Sequence, residues 1–379
     1  SLICKRFQKL FDILPNRKII LLSGTPMINS ADDIIPLMNL ILPPGKKLKK
    51  KLSKESGGIV ELNAAIAGRV SYIKEDIKGD VPKAVFEGLV SAPLQNFKLL
   101  YLAMSPFQSD AYRRTSSLQK KSFDLELQRT ALFAFPTAVA TAGGNLRSAG
   151  GNIKDWTNRE KLTPAFWETL KTNGRFDIDK LCKFSCKFAE VMKAAVKGPW
   201  PIYVYSNIVE GSRFKKNPTD KGWVDTVSGA GLKLLSLILE KWGYSRFKKN
   251  STSKGKRYMY FTGNASDKPS AAAINLFNEE GKNSNGEICR FVLGSEASSE
   301  GYTFRNIKRE IVLTPHHHYA QIAQALARGI RVGAHDSGDR VQGGGKVLIS
   351  RLVAVPIDAG RGVKCGSRIT NARDLTGVT

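Results

Sequence analysis

Apolar positions along this chain recur with two different periods. From residue 196 onward, short continuous apolar runs alternate with amphipathic stretches. Pro201–Ser206, Arg257–Phe261, Ile288–Leu293, Glu310–Leu313 and Lys346–Val355 are rich in branched and aromatic residues and predict strands. Between them, Gly229–Trp242 places Leu232, Leu235, Leu239 and Trp242 on one helical face, with Gly243 closing the helix, and Ala271–Phe277 predicts a shorter helix. Strands alternating with helices predict an α/β fold with a doubly wound parallel sheet over residues 196–356.

The first half is patterned differently. Residues 1–15 predict the tail of an amphipathic helix, and Lys18–Leu22 a short strand running into the turn Ser23-Gly24-Thr25-Pro26. Ser30 is placed to cap a helix over Ala31–Leu42, which stops before Pro43-Pro44. Pro43-Pro44-Gly45 and the six lysines between Lys46 and Lys54 mark a boundary, so residues 1–45 form one piece and 46–56 a lysine-rich linker. Residues 57–195 predict a mainly helical region. It holds a helix over Leu62–Val70, one capped by Ser105 with Pro106 at its first position, and one over Ile178–Val196 with Leu181, Phe184, Phe188 and Val191 on one side. Residues 357–379 are glycine-rich, basic and aperiodic, and predict a loosely packed tail.

Tyr319–His335 carries the chemistry. Read as one helix at about 100° per residue, it gathers Gln321, Gln324, Arg328 and Arg331 on one stripe and Ile322, Leu326 and Ile330 on the other, with Gly333 at its end. Two arginines three apart beside a glutamine suit the phosphates of a nucleotide, since guanidinium keeps its charge and presents a planar fork of donors. An isolated Arg-x-x-Arg is more often a solvated basic face. The net charge of +26, from 59 basic and 33 acidic side chains, points to a polyanionic partner, with nucleic acid ahead of an anionic membrane. No apolar run is long enough to span a bilayer. Five scattered cysteines argue against a disulfide framework and for a reducing compartment, with Cys182 and Cys186 as core residues. His316-His317-His318 are adjacent and share no face, so no metal site is assigned. SRFKKN occurs twice, at Ser212–Asn217 and Ser245–Asn250, as two basic loops.

Gln324-Ala325-Leu326-Ala327-Arg328-Gly329-Ile330-Arg331 resembles motif VI of superfamily-two helicases. Ser295–Phe304 resembles their motif V, and Ser23-Gly24-Thr25-Pro26 with Asn29 resembles motif III of the Swi/Snf-like branch. The forms SEGYTF and ARGIRVGAH are most similar to large DNA viruses, in the group of the poxvirus-type nucleoside triphosphatase I and the early-transcription-factor ATPase. The likeness spans roughly residues 15–45 and 85–355. It also makes Arg69–Ile73 the strand entering the second lobe, and matches Ala103–Tyr112 to a conserved-looking segment of that group. It implies two RecA-like lobes, of which this chain holds the second and part of the first. Gly301, Gln324, Arg328 and Arg331 would then face ATP, with Arg331 as arginine finger and Arg328 as second phosphate contact. Ser206, Thr262, Gly263, Ser295 and Ser298 would contact nucleic acid, DNA ahead of RNA, and Ser23, Gly24, Thr25 and Pro26 would couple the two events.

No G-x-x-x-x-G-K-[ST] phosphate loop and no D-E-x-[HD] magnesium motif occur. The resemblance puts both in the first lobe, with the Mg²⁺ ligands, so the chain reads as the C-terminal part of a longer enzyme that does not turn over ATP alone. The leading expectation is an ATP-driven nucleic-acid translocase, viral and acting in transcription with an RNA polymerase or transcription complex, in cytoplasm or virion. A second reading is a non-catalytic basic RecA-like module that binds nucleic acid or a polymerase, and a third an unrelated nucleotide-binding α/β protein.

Overall fold

The computed structural model describes residues 2–14, 16, 18–23, 26–27, 31–49, 56–71, 81–91, 94–118, 125–135, 164–209, 231–263, 268–296, 302–314, 319–331, 333–335, 345–357 and 363–371. They fall into two compact units, Ser1–Ile77 with His317–Ala320, and Lys78–His316 with Gln321–Thr379.

In the first unit, α1 (Leu2–Ile13) is the predicted amphipathic helix, with the rings of Phe7 and Phe11 one turn apart, tilted by 38° at 5.7 Å. A 3₁₀ turn (Ala31–Asp33) leads into α2 (Ile34–Ile41), and α3 spans Ser56–Ile66. Ile34, Ile35, Met38, Leu42, Leu48 and Ala65 form its core. Leu48 enters that core from the lysine stretch because the Asn39 amide holds its main chain from both sides, at 2.8 and 3.0 Å. α3 ends before Val70 because Gly68 takes a left-handed turn, φ +68°. Lys18–Leu22 does not form the predicted strand. A strand exists only by pairing, no described segment pairs with it, and Ile20 and Leu22 are 82% and 93% exposed.

In the second unit the strands are β1 (Lys83–Phe86), β2 (Leu89–Ser91), β3 (Leu94–Ala103), a separate hairpin of β4 (Lys171–Thr172) and β5 (Arg175–Phe176), β6 (Ile202–Tyr205), β7 (Ser245–Arg246), β8 (Arg257–Phe261), β9 (Phe291–Gly294), β10 (Arg309–Val312), β11 (Lys346–Val355) and β12 (Arg368–Ile369). The helices are α4 (Pro106–Leu118), α5 (Leu125–Leu132), α6 (Pro164–Thr169), α7 (Ile178–Cys182), α8 (Cys186–Lys197), α9 (Leu232–Lys241), α10 (Ala271–Asn278) and α11 (Tyr319–Leu326). The sheet runs β12-β3-β11-β10-β6-β9-β8-β7, with β1 on β11 and β2 on β3. Its pairings are parallel except where β2 and β12 meet β3.

The strands show why the sheet is covered on both faces. Ile202 and Val204 of β6 enter one core with α8 and α9, while Tyr203 and Tyr205 enter the other with α10 and α11. Tyr258 and Tyr260 against Met259 and Phe261 repeat the alternation on β8. Both faces are apolar, so these strands are continuous apolar runs, as central parallel strands are. This is the predicted doubly wound RecA-like sheet.

Further expectations change. The helix expected over Ile178–Val196 is two helices, because Ser185 is extended (φ −157°, ψ 106°) and its hydroxyl caps α8 at the Phe188 N–H, 2.9 Å. Arg69 lies in a turn after α3, and the strand that joins the sheet ahead of residue 196 is β1, with β2 and β3 after it. The helix expected over Tyr319–His335 ends at Leu326. The tail is not loose throughout: β12 pairs with β3, Gly366 N–H bonds Ala103 O at 2.9 Å, and Cys365 is bonded to Cys182. That disulfide joins residues 183 apart in sequence, which spacing cannot show, and it removes the ground for a reducing compartment.

Replacing Cys365 by serine is expected to cost about 2–5 kcal/mol in urea unfolding and to speed amide exchange at Ala103 and Gly366. Exchange as slow as in the parent would mean that β12 holds without the link.

Candidate functional site

Four parallel strands end in one row. Val312, Tyr205, Gly294 and Phe261 are in register across β10, β6, β9 and β8. The residues that follow them, Leu313, Ser206, Ser295 and Thr262, therefore line the carboxyl edge of the sheet, where sites form in open α/β folds. Main-chain bonds Leu313 N–Tyr205 O (2.9 Å), Ser206 N–Gly294 O (3.1 Å) and Ser295 N–Phe261 O (3.2 Å) carry the pairing one residue further. Three residues expected to meet nucleic acid are thus neighbours. Their side chains are buried, however, and Gly263 beside Thr262 is exposed. The Ser206 hydroxyl closes its own turn, donating to Ile208 O and accepting from Ile208 N–H at 3.1 Å, while Thr314 Oγ1 accepts from Asn207 N–H at 3.0 Å.

A second cluster joins the motif V and motif VI segments. Phe304 is fully buried, with its ring 5.9–6.1 Å from those of Tyr203, Phe261 and Phe277. The Asn278 amide donates to Thr303 O (2.8 Å) and accepts from Arg305 N–H (2.8 Å). Onto this fixed stretch come both arginines. Arg328, 6% exposed, donates from Nη1 to Tyr302 O at 2.9 Å. Arg331 is exposed. It donates from Nε to Ala327 O (3.1 Å) and from Nη1 to Thr303 Oγ1 (3.2 Å). Gln324 is half-buried on α11. In the first unit Ser23 and Pro26 are exposed; Gly24, Thr25, Ser298, Gly301, the first SRFKKN copy and His316–His318 lie outside the described residues.

Glu310 and Lys187 are among the buried charged residues that escaped the sequence reading. Glu310, second in β10, is fully buried, and its Oε1 accepts the Gly329 N–H at 3.2 Å. Burial pushes its carboxyl well above the usual range, and the Gly329 N–H opposes this only in part. Gly329 is there because nothing larger fits: a Cβ would lie 2.6 Å from Glu310 Oε1 and 2.9 Å from Ile307 Cβ. Lys187, on α8, donates to Leu313 O at 2.6 Å, and burial lowers its ammonium to about 8. The available signal was weak: Glu310 opens the predicted strand Glu310–Leu313, and Lys187 lies inside the predicted helix Ile178–Val196.

No family model matches the chain. It is 31% identical over 335 residues to "Putative helicase 087L" of Invertebrate iridescent virus 3, covering 86% of this chain and 30% of that protein. It is 30% identical over 344 residues to "Putative helicase 009L" of Frog virus 3 (isolate Goorha), covering 89% and 32%. The early transcription factor 70 kDa subunit of Melanoplus sanguinipes entomopoxvirus is 24% identical over 351 residues, covering 86% and 49%. Among solved structures, the Sulfolobus solfataricus SWI2/SNF2 ATPase core domain is 15% identical with a TM-score of 0.34, covering 94% of this chain and 59% of that one. The chain is thus similar in sequence to viral proteins named as helicases. It spans about a third of the length of the two viral helicase proteins.

Two substitutions test the motif VI turn. Gly329→Ala is expected to destabilise by about 1–3 kcal/mol in thermal or urea unfolding, through the clash with Glu310 and Ile307. Glu310→Gln keeps the acceptor and removes a group that prefers to be protonated when folded. Such a group erodes stability as pH rises above its unfolded value, by about 1.4 kcal/mol per pH unit until the native value is passed. The melting-temperature gain of Glu310→Gln is therefore expected to be larger at pH 8 than at pH 5, and a gain that does not grow with pH would contradict it.

Proposed function

We propose that this chain provides the second RecA-like lobe, with the end of the first, of a viral nucleic-acid-dependent ATPase that moves along nucleic acid, DNA ahead of RNA, and works in transcription beside an RNA polymerase or transcription complex. The observation that carries the reading is the fastening of motif VI to motif V through Arg328–Tyr302 and Arg331–Thr303. Nucleotide state and nucleic-acid contact have to be linked in a motor, and these bonds are a direct mechanical link between the two segments. Two relatives named as viral helicases, and a third named as an early transcription factor subunit, support the same assignment.

In this reading Arg331 is the arginine finger. Guanidinium has five N–H donors, and its recorded bonds occupy Nε and Nη1, so the remaining donors are available to a phosphate. ATP bound there would supply the phosphoryl group, whose negative charge a fixed cation stabilises during transfer. Arg328 chiefly holds Tyr302, and with Gln324 and Gly301 completes the nucleotide-facing surface. Among the described residues no group of three His, Cys, Asp or Glu is placed to hold a metal, so Mg²⁺ is assigned to no residue here. At the carboxyl edge, exposed Gly263 and the main chain at Ser206 and Ser295 are the proposed backbone contacts, to which the motif V resemblance adds Ser298, because phosphates are bound without sequence preference by such groups. Ser23-Gly24-Thr25-Pro26 is the proposed coupling turn.

In the full-length protein, Arg331→Ala is expected to lower nucleic-acid-stimulated ATP hydrolysis by about 10³–10⁵ while nucleic-acid binding is retained. Turnover equal to the parent would overturn the assignment.

A further inference from the structure

A recess beside α8, reaching from β12 to the start of β10, is not used by the proposed motor. Its volume is about 440 Å³, and its lining includes Glu190, Lys193, Lys197, Gly198, Arg309 and Arg368. That size is within the range of small-molecule sites. Lys193, Lys197 and Gly198 come from the end of α8 and the residue after it, Arg309 is the first residue of β10, and Arg368 opens β12.

The charges do not cancel. Arg368 is fully engaged, donating to Glu190 Oε1 from Nη2 at 2.6 Å and to Glu87 Oε1 from Nη1 at 3.1 Å. Lys193 donates to Gly366 O at 2.9 Å and stands 3.8 Å from Glu190. The Arg309 side chain is only 11% exposed. Among the described residues its one ion-pair contact is Glu87 at 3.9 Å, and its buried Nε has no hydrogen-bond partner there. No carboxylate among the described residues pairs with Lys197. Four cations face two carboxylates, leaving an excess of two positive charges, one of them on a guanidinium largely withdrawn from water. Buried charge without a matched partner is costly. The carbonyls of the last turn of α8 do not replace that partner: Ala194 O accepts from Gly198 N–H, and Ala195 O from Trp200 Nε1 and Tyr244 OH.

We propose that this recess binds a compact diphosphate, either free pyrophosphate or the diphosphate end of a small nucleotide, held between Arg309, Lys193 and Lys197. Guanidinium and ammonium donors converging from two elements, β10 and α8, match the two phosphoryl groups of such a ligand. The site shares no lining residue with Ser206, Ser295 and Thr262 and is independent of the motif VI arginines.

Calorimetric titration of the whole chain with inorganic pyrophosphate, and in parallel with ADP, tests this. Pyrophosphate is expected to bind, to slow amide exchange at Gly198 and Gly366, and to bind at least tenfold more weakly to Lys197→Glu, an exposed position that does not threaten the fold. Arg331→Ala is expected to leave pyrophosphate affinity unchanged. Tighter binding of ADP than of pyrophosphate would support the nucleotide as source, and the reverse order the free diphosphate. No binding of pyrophosphate, binding indifferent to Lys197→Glu, or binding lost in Arg331→Ala would each overturn the proposal.

Discussion

A carboxyl group shut away from water fixes the geometry of the motif VI turn. Glu310 lies on β10, between β11 and β6, on the same face of the strand as Val312. α11 packs its Ile322, Ala325 and Leu326 on that face. A buried carboxyl needs a donor, and the Gly329 N–H supplies one at 3.2 Å. Meeting that demand pulls the chain out of the α-helix: Arg328 N–H reaches back only to Ala325 O, three residues away. The helix stops, and the next turn swings toward residues 302–303. Arg328 and Arg331 then fasten to Tyr302 and Thr303 because the backbone has already been aimed there.

This explains a partial success of the sequence pattern. A helix continued to His335 would have put both arginines on the Gln324 stripe. The actual chain separates them in character, one buried and one exposed, yet brings both to the same segment. Spacing picked out two side chains that the fold brings to one segment. It could not show the turn, since the cause is a residue on another strand.

The same contrast runs through the fold. Arg257–Phe261 and Lys346–Val355 have the bounds that their apolar runs suggest, because a strand buried on both faces must be apolar throughout. Lys18–Leu22 has an equally apolar pattern but no described pairing partner, and composition says nothing about partners. The break at Ser185 depends on one hydroxyl capping Phe188, and polar residues inside amphipathic helices are too common to mark a break. Residues 363–371 look featureless in sequence. Their order comes from the edge of β3 and from a thiol 183 positions away, both invisible to local pattern. At the carboxyl edge, Ser206, Thr262 and Ser295 were recognisable because each follows an apolar run. That their side chains face inward follows from turn closure and packing rather than from residue type.

Net charge is similarly incomplete as a guide to partners. An excess of +26 raises affinity for any polyanion, but its useful part is where cations cannot be neutralised by neighbours. Arg114 pairs with Asp110 and Lys171 with Glu168 on the surface, and such pairs contribute little either way. Arg309 differs because it is withdrawn from solvent at the start of a central strand and meets its nearest carboxylate only at 3.9 Å. Glu87 cannot serve it alone. Burial works against the ionisation of Glu87, and the Ser350 hydroxyl, Arg309 and Arg368 together outweigh that and hold its carboxyl below the usual range. Sharing that carboxylate with Arg368 leaves Arg309 under-compensated. An anion entering the recess would complete its pairing, so the recess is selective for charge before any question of shape arises.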